Sequence, residues 1–180
     1  MIPKCCFHAT KGLDFGYGSC IMVILTRKGI TMAYMNQQKK AIIASKLKPV
    51  LKKYGVKGSL KVNNHSTIVL NVKSGKIDFI ENYIGTDAAL PHAGKMSQDQ
   101  INFIRKNKSL DVNPYWFQEH FSGDAKKFLI EAMAALKGAD WYDESDAQID
   151  YFNTAYYVDI NIGKWNKPYE CEGSWETVTV

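Results

Sequence analysis

The residues in this sequence that are best suited to chemistry are five carboxylates within eleven positions of the C-terminal half. They are Asp140, Asp143, Glu144, Asp146 and Asp150. Carboxylates at this density can bind a hard cation or act as an acid and base pair in hydrolysis. The run lacks the glycine of an EF-hand loop, and the sequence identifies no partner acid. We therefore expect a solvated acidic connector, and a hydrolase that uses carboxylates 140–150 is an alternative function.

The histidines and cysteines do not form a metal-binding pattern. Three single histidines, His65, His92 and His120, lie in a predicted turn, a predicted loop and a predicted helix end. Three of the four cysteines lie in the first 20 residues, without paired C-x-x-C spacing. Zinc sites and disulfide frameworks have more regular spacings. We expect no metal site and a reducing cytoplasm.

The sequence lacks the common signatures of catalysis and cofactor binding. It has no G-x-x-x-x-G-K-[ST], G-x-S-x-G, G-x-G-x-x-G or H-E-x-x-H motif. These motifs mark nucleotide-binding loops, hydrolase nucleophiles and zinc proteases. We expect a non-enzymatic protein with no catalytic residues and no cofactor.

Charge divides the chain into a basic part and an acidic part. Residues 32–108 carry 14 Lys or Arg against 4 Asp or Glu, a net +10, whereas residues 109–180 carry 5 against 13, a net −8. A basic surface of this kind can bind a polyanion by releasing counterions. The predicted nucleic-acid-binding residues are Lys39, Lys46, Lys53, Lys57 and Lys61. In the alternative interpretation, these charges only solvate opposite faces of one domain.

Arginine is scarce in the basic part, where Arg105 is the single example. Reading of bases and bidentate phosphate binding usually recruit arginine. Any nucleic-acid contact would therefore be directed to the backbone.

Aromatic residues cluster at Tyr115-Trp116-Phe117, and again at Tyr151-Phe152 with Tyr156-Tyr157. Neighbouring side chains in a helix or strand cannot all face one core, so some of these rings should lie at the surface or in an interface. We predict Tyr115, Trp116 and Tyr157 as contacts for a partner protein. The alternative is that the aromatic side chains line a shallow core.

Helical patterns place several of these residues. Asn36 can cap a basic amphipathic helix that ends near Gly55, with Pro49 predicting a kink near Ser45 or a break. Ser97 and Gln100 form a capping box for a second helix.

Two more helices follow in the acidic part. Asn113-Pro114 predicts the start of one helix. Another begins near Asp124 and is expected to bury the apolar side chains Phe128, Leu129, Met133 and Leu136.

Alternating patterns predict the strands. Residues 59–63, 67–72 and 77–80 should form a three-stranded antiparallel meander, followed by a loop over 85–95. Residues 154–162 alternate as one further half-buried strand, with Tyr156, Val158, Ile160 and Ile162 on the buried side.

These elements predict an α+β fold of two layers. A mainly antiparallel sheet, the meander plus the C-terminal strand, should be covered by three or four helices. We assign residues 32–170 to a single domain and 171–180 to a tail. No apolar run approaches the length of a transmembrane helix.

The first 31 residues lack any regular pattern. They are either an N-terminal arm or a translated upstream leader. Arg27-Lys28-Gly29 can be encoded by a purine-rich ribosome-binding sequence two codons before Met32, which favours the leader.

Two segments, 47–79 and 151–169, carry a resemblance to known proteins. They resemble small α/β proteins of bacteriophages and plasmids whose function is unassigned and, more distantly, domains associated with phage polyvalent proteins. The resemblance implies a mobile-element origin and a host-directed or DNA-associated role. It supplies no catalytic residues.

We therefore expect a cytoplasmic protein of a bacterial host that binds a host protein or nucleic acid and no membrane. One alternative is an inhibitor of a host defence protein that acts through the acidic, aromatic half. Homo-oligomer formation stays open.

Overall fold

The computed structural model describes residues 32–89 and 96–172, with residues 88 and 89 described by their backbone alone. The predictions for residues 1–31, for His92 and for residues 173–180 lie outside the described residues. The helices are α1 (Gln37–Tyr54), α2 (Phe79–Ala89), α3 (Gln98–Asn107), α4 (Phe117–His120) and α5 (Gly123–Leu136). The strands are β1 (Val56–Asn63), β2 (Thr67–Gly75), β3 (Leu110–Val112), β4 (Tyr157–Ile162) and β5 (Glu170–Cys171).

The five strands form one mixed sheet in the order β1-β2-β4-β3, and β5 pairs with the end of β2. The β1–β2 and β3–β4 pairs are antiparallel, whereas β4 and β5 run parallel to β2. The predicted α+β class is confirmed. The sheet is mixed because the last long strand inserts between β2 and β3.

The predicted third strand of the meander is wrong, because this segment begins helix α2. The Asp78 carboxylate accepts hydrogen bonds from the backbone N–H groups of Ile80 (3.1 Å) and Glu81 (3.0 Å). It thereby satisfies donors that the first turn of a helix leaves free. The helix continues to Ala89, so residues 85–89 of the predicted loop are helical, and residues 90–95 lie outside the described residues.

Helix α1 begins and ends where its capping residues predict. Asn36 Oδ1 accepts a hydrogen bond from the backbone N–H of Lys39 at 2.8 Å, and Gly55 adopts a left-handed conformation with φ 62°. The helix is continuous through Pro49, so the alternative of a break does not occur. Burial of Ile43 and Leu47 stabilises it across the missing donor.

Helix α5 supplies the centre of the core. The predicted burial of Phe128, Leu129, Met133 and Leu136 is confirmed. Phe79 of α2 packs against Phe128 with ring centroids 5.4 Å apart, and against Tyr169 at 5.6 Å. Aromatic packing therefore connects α2 and α5 with the segment before β5.

The alternation of β4 separates the two faces of the sheet. Val158, Ile160 and Ile162 are buried in the core that also contains residues of α1 and α5. The side chains at 157, 159 and 161 lie on the opposite, outer face. The strand begins at Tyr157 rather than 154, because Ala155 is buried and its N–H donates to Tyr142 O at 2.9 Å.

No helix among the described residues has the length and apolar character needed to cross a membrane.

Replacing Ile160 tests the placement of β4 at the centre of the sheet. Ile160 is 1% exposed, so Ile160→Ala should lower the free energy of unfolding by about 2–5 kcal/mol through lost burial and a new cavity. Denaturant melts measure this change. The control is Ile149→Ala, which removes an isoleucine that is 71% exposed and should cost less than about 0.5 kcal/mol. Equal small effects from both variants would place Ile160 outside the core.

Candidate binding cleft beside strand β4

A cleft of about 470 Å³ lies at the start of β4, and five of its twelve lining residues are aromatic. We call it the aromatic cleft. Its lining residues come from the turn before α4, the end of α5, the acidic segment and β4. They are Pro114, Tyr115, Lys137, Trp141, Asp143, Ser145, Phe152, Thr154, Tyr156, Tyr157, Val158 and Asp159. Two of the three predicted partner contacts, Tyr115 and Tyr157, therefore lie in one site.

Tyr115 is held at the rim by the turn that precedes α4. Asn113 Oδ1 accepts a hydrogen bond from the backbone N–H of Tyr115 at 2.9 Å, and Asn113 O accepts one from Phe117 N at 3.1 Å. Phe117 is buried and anchors this turn in the core. Tyr115 itself is 77% exposed. The Asn-Pro signal thus marks a capping turn, and the helix begins three residues later.

Tyr157 enters the cleft because it is the first residue of β4. Its N–H donates to Ser66 O at 2.9 Å, and it pairs with Thr67 of β2. Its neighbour Tyr156 is fully buried and donates its hydroxyl to Leu136 O at 2.9 Å. The two tyrosines therefore separate into one core residue and one half-exposed residue.

Trp141 forms a fixed wall of the cleft. Its indole Nε1 donates to Tyr156 O at 3.0 Å. Lys137 Nζ lies 3.8 Å from the centroid of the indole ring, which is a cation–π contact. Trp141 and Phe152 were not predicted as site residues, although Trp141-Tyr142 and Tyr151-Phe152 are also consecutive aromatics. The sequence does not state which ring of such a pair stays outside the core.

The acidic connector is a folded hairpin and not an extended loop. Glu144 N donates to Asn153 O at 2.8 Å, and Asp146 N donates to Tyr151 O at 2.7 Å. Its two arms contribute Asp143 and Phe152 to opposite parts of the lining. Backbone pairing of this segment thus builds part of the aromatic cleft.

Several carboxylates of the acidic segment have local structural roles. Asp143 accepts a hydrogen bond from Ser145 N at 3.2 Å, and Asp146 accepts one from Gln148 N at 2.9 Å. Glu144 Oε2 accepts one from Asn153 Nδ2 at 2.9 Å. These bonds stabilise the turns of the hairpin, as short acidic side chains commonly do.

The electrostatics of the cleft favour a positive ligand. Asp143 and Asp159 line it, and Lys137, whose ammonium sits over the Trp141 ring, is the one cation in the lining. Burial raises the pKa of Asp159, and the carboxylate of Asp111 raises it further. Aromatic faces also attract cations. The arrangement can therefore hold an apolar group that carries or adjoins a positive charge.

Trp116, the third predicted contact, does not line the cleft. It is exposed and precedes the first residue of α4. A large partner that covers the cleft can reach it, but the cleft is complete without it.

The three lysines of α1 that were predicted to bind nucleic acid are bonded within the domain. Lys39, Lys46 and Lys53 recur every seven residues and so share one side of the helix. Lys46 Nζ donates to Gly138 O at 2.6 Å, and Lys53 Nζ pairs with Glu131 of α5 at 2.5 Å. Lys39 Nζ donates to Tyr34 O at 3.2 Å.

Contacts with Lys53 show why α1 and α5 lie together. Glu131 also accepts a hydrogen bond from Tyr54 OH at 2.9 Å. The hydrogen bond from Lys53 is the main reason that the pKa of Glu131 is lowered. Each exposed pair of this kind contributes little to stability, but it engages an ammonium group that the sequence suggested for a polyanion.

The remaining two predicted lysines lie on β1. Lys57 Nζ pairs with Glu172 at 2.8 Å. Lys61 is exposed and, within the described residues, forms no ion pair. Of the five lysines, only Lys61 therefore has an ammonium group that the described fold leaves without a bond.

The histidines of the described residues lie apart from the cleft. His120 Nδ1 is 3.1 Å from Asp87 Oδ1, and its ring packs on Tyr83 with centroids 5.7 Å apart. The described residues contain no group of three or more His, Cys, Asp or Glu placed to hold a metal ion.

The raised pKa of Asp159 predicts a pH-dependent effect of Asp159→Asn. Folding favours the neutral acid. The free energy of unfolding therefore falls as the pH rises from the ordinary aspartate pKa through the raised pKa of Asp159. Asp159→Asn should therefore raise the melting temperature slightly near neutral pH. This gain should disappear below the ordinary aspartate pKa of about 3.9, where both states are protonated.

Thermal melts between about pH 3 and pH 7 measure the effect. The control is Asp124→Asn, which changes an exposed carboxylate in the first turn of α5. Because a carboxylate at a helix N-terminus interacts favourably with the helix dipole, its removal should not stabilise the protein. If Asp159→Asn raised the melting temperature equally at acid and neutral pH, the raised pKa of Asp159 would not be the cause of the effect.

Comparison with known proteins found no match to a family model, a curated protein or a solved structure. The chemistry of the aromatic cleft is therefore the basis on which a function is proposed for this chain.

Proposed function

We propose that this protein is a non-enzymatic accessory protein of a phage or mobile element that binds a basic, apolar segment of a host protein in the aromatic cleft. One observation carries the proposal. Tyr115 and Tyr157, which are far apart in the sequence, line a single cleft together with Trp141 and two carboxylates.

The exposed aromatics suit a protein ligand. Tyr115 and Phe152 are largely exposed, and Tyr157 is half-exposed. Aromatic side chains of this kind supply most of the energy of protein interfaces, because they bury a large area with little loss of side-chain freedom. A cleft of about 470 Å³ accepts one or two side chains, so it fits a protruding segment better than a flat surface.

The charges select the type of segment. Asp143 and Asp159 face the cleft, and the hairpin that walls it carries further carboxylates at 144 and 146. Like charges across an interface are costly, and opposite charges speed association. A segment with lysine or arginine beside an apolar side chain is therefore preferred over an acidic one.

The resemblance of segments 47–79 and 151–169 to phage and plasmid proteins supports a bacterial host protein as the partner. Binding through an acidic, aromatic surface would suit an inhibitor of a host defence protein whose own target is a polyanion. In such an inhibitor, the carboxylates would occupy the basic site of the defence protein.

Selection from a library of random peptides tests the chemistry of the cleft. Enriched peptides should combine lysine or arginine with an aromatic or long aliphatic residue. Tyr115→Ala and Tyr157→Ala should each weaken binding of an enriched peptide at least tenfold, which is about 1.4 kcal/mol. Titration calorimetry measures this loss.

The matched control is Trp165→Ala, which removes an exposed aromatic ring outside the aromatic cleft and should leave peptide affinity unchanged. Enrichment of acidic peptides, or peptide binding that survives both tyrosine variants, would exclude the proposed ligand. Capture of a host protein from a bacterial lysate should likewise be lost in the Tyr115→Ala/Tyr157→Ala double variant and kept in Trp165→Ala.

A further inference from the structure

A second cleft lies farther along the outer face of the sheet and differs in its chemistry. It encloses about 340 Å³, and we call it the polar groove. Its floor contains Val69 and Asn71 of β2, which are both buried although they lie on the outer face. Lys61 and Trp165 belong to its walls. Its lining is shared by β1, β2, β3 and β4, by Ser109 before β3 and by the segment that follows β4.

An exposed aromatic pair lies at the edge of this groove. Trp165 is 71% exposed and Phe103 of α3 is 56% exposed, with ring centroids 6.2 Å apart and ring planes inclined by 39°. Neither ring belongs to the core. Two large rings that stay in water beside each other provide an exposed apolar surface that the core does not cover.

A tight turn holds Trp165 in this position. Lys164 and Lys167 exchange backbone hydrogen bonds of 2.8 and 2.9 Å. The turn is fixed to the end of α3, because Tyr169 N donates to Lys108 O at 2.8 Å. Gly163 has φ 69°, and a Cβ there would lie 2.3 Å from Lys108 O, so only glycine permits this close approach. The aromatic pair is therefore preformed.

The lysines around this pair are not used by the fold. The exposed lysines Lys61 and Lys164 line the groove, and Lys106, Lys108 and Lys167 lie close to Phe103 or Trp165 along the chain. Within the described residues, none of the five forms an ion pair or a side-chain hydrogen bond, in contrast to the lysines that α1 directs to α5. Arg105 is already bound to Glu81 by two hydrogen bonds of 2.7 Å.

The groove also offers amide and carboxylate groups for hydrogen bonds. Asn71 and Asn161 occupy paired positions on β2 and β4, and Asp111 of β3 pairs with Asn161. With its amide oriented to satisfy its neighbours, Asn161 donates to Asp111 Oδ1 at 3.2 Å. Amides read donor and acceptor edges of bases, and a carboxylate accepts from exocyclic amino groups.

The geometry points to the polar groove and the Phe103–Trp165 pair as a binding site for single-stranded nucleic acid. Unstacked bases lie on the aromatic rings, lysines neutralise the phosphates, and the amides contact base edges. In a duplex, the base faces are already stacked and cannot reach the rings. An acidic peptide would pair with the lysines. It would offer no base to stack on the aromatic pair and no base edge for the paired amides to bind.

Fluorescence anisotropy with labelled oligonucleotides of about a dozen nucleotides, one DNA and one RNA, tests this site. Both single strands should bind more tightly than a duplex of the same sequence. Trp165→Ala and Phe103→Ala should each weaken binding at least fivefold, since one stacked base is lost. Trp165→Phe should retain most of the affinity, because it keeps an aromatic face.

The salt dependence identifies the lysines. The triple variant Lys61→Gln/Lys164→Gln/Lys167→Gln should flatten the slope of log affinity against log salt by about two units, at roughly 0.7 per phosphate of a single strand. The matched control is Lys46→Gln/Lys53→Gln, which removes lysines bonded to α5 and its C-terminal turn and should leave the slope unchanged. All these side chains are exposed, so equal melting temperatures should accompany the differences in binding.

Three results would overturn the site. The first is absence of saturable oligonucleotide binding at about 0.05 M salt, where electrostatic attraction is weakly screened. The second is equal affinity for the duplex and the single strand. The third is that polyglutamate displaces the oligonucleotide as well as unlabelled single strand does. Tyr115→Ala serves as a further control and should leave oligonucleotide binding unchanged, so failure here does not bear on the aromatic cleft.

Discussion

The parallel pairing of β2 with β4 is the constraint on which the rest of the structure depends. It joins residues 67–72 with residues 157–162 across most of the domain. Parallel strands require a long crossover connection, and here that connection contains α2 to α5. The inward side chains of both strands form the middle of the core, where Leu70 pairs with Ile160. Without this pairing, the core under α1 and α5 would lose the inward side chains of β4.

The same pairing positions the binding surfaces. Side chains of β4 alternate strictly, so the burial of 158, 160 and 162 places 157, 159 and 161 on the outer face. Tyr157 lies in the aromatic cleft, and Asn161 lies in the polar groove. Asp159 lies between them and lines the aromatic cleft. A register shift of one residue would bury these groups and expose the core, so the register that stabilises the fold also specifies both surfaces.

Local signals in the sequence predicted the local structure well. The caps of α1, the capping box of α3, the buried side of α5 and the alternation of β4 depend on residues within a few positions of each other. The wrong prediction of a strand at residues 77–80 also came from a local pattern, because a short apolar run fits either a strand or the start of a helix. The hydrogen bonds that the Asp78 carboxylate accepts favour the helix. The parallel partner of β4 was not predictable, since no local pattern states which strand it joins.

The candidate sites were predictable only in part, for a related reason. Tyr115 and Tyr157 were identified because neighbouring aromatics exceed what one core face can bury. Trp141 and Phe152 carry the same signal, but the pattern does not state which ring of each pair lines a cleft. The Phe103–Trp165 pair forms only after α3 and the turn that follows β4 meet. The sequence likewise showed an excess of lysine, but it did not show which lysines form ion pairs or hydrogen bonds within the domain.

Charge asymmetry along the chain is a different property from charge asymmetry in space. The basic part and the acidic part pack against each other, as the pairs Lys53–Glu131 and Lys57–Glu172 show. These two pairs join the basic and acidic parts, while most of the other charged side chains in the described residues form no ion pair between them. On the outer sheet face, carboxylates lie beside aromatic rings at one end and lysines lie beside aromatic rings at the other. Because β4 runs rigidly beneath both ends, each surface is preformed, and opposite charge separates the ligands that they accept.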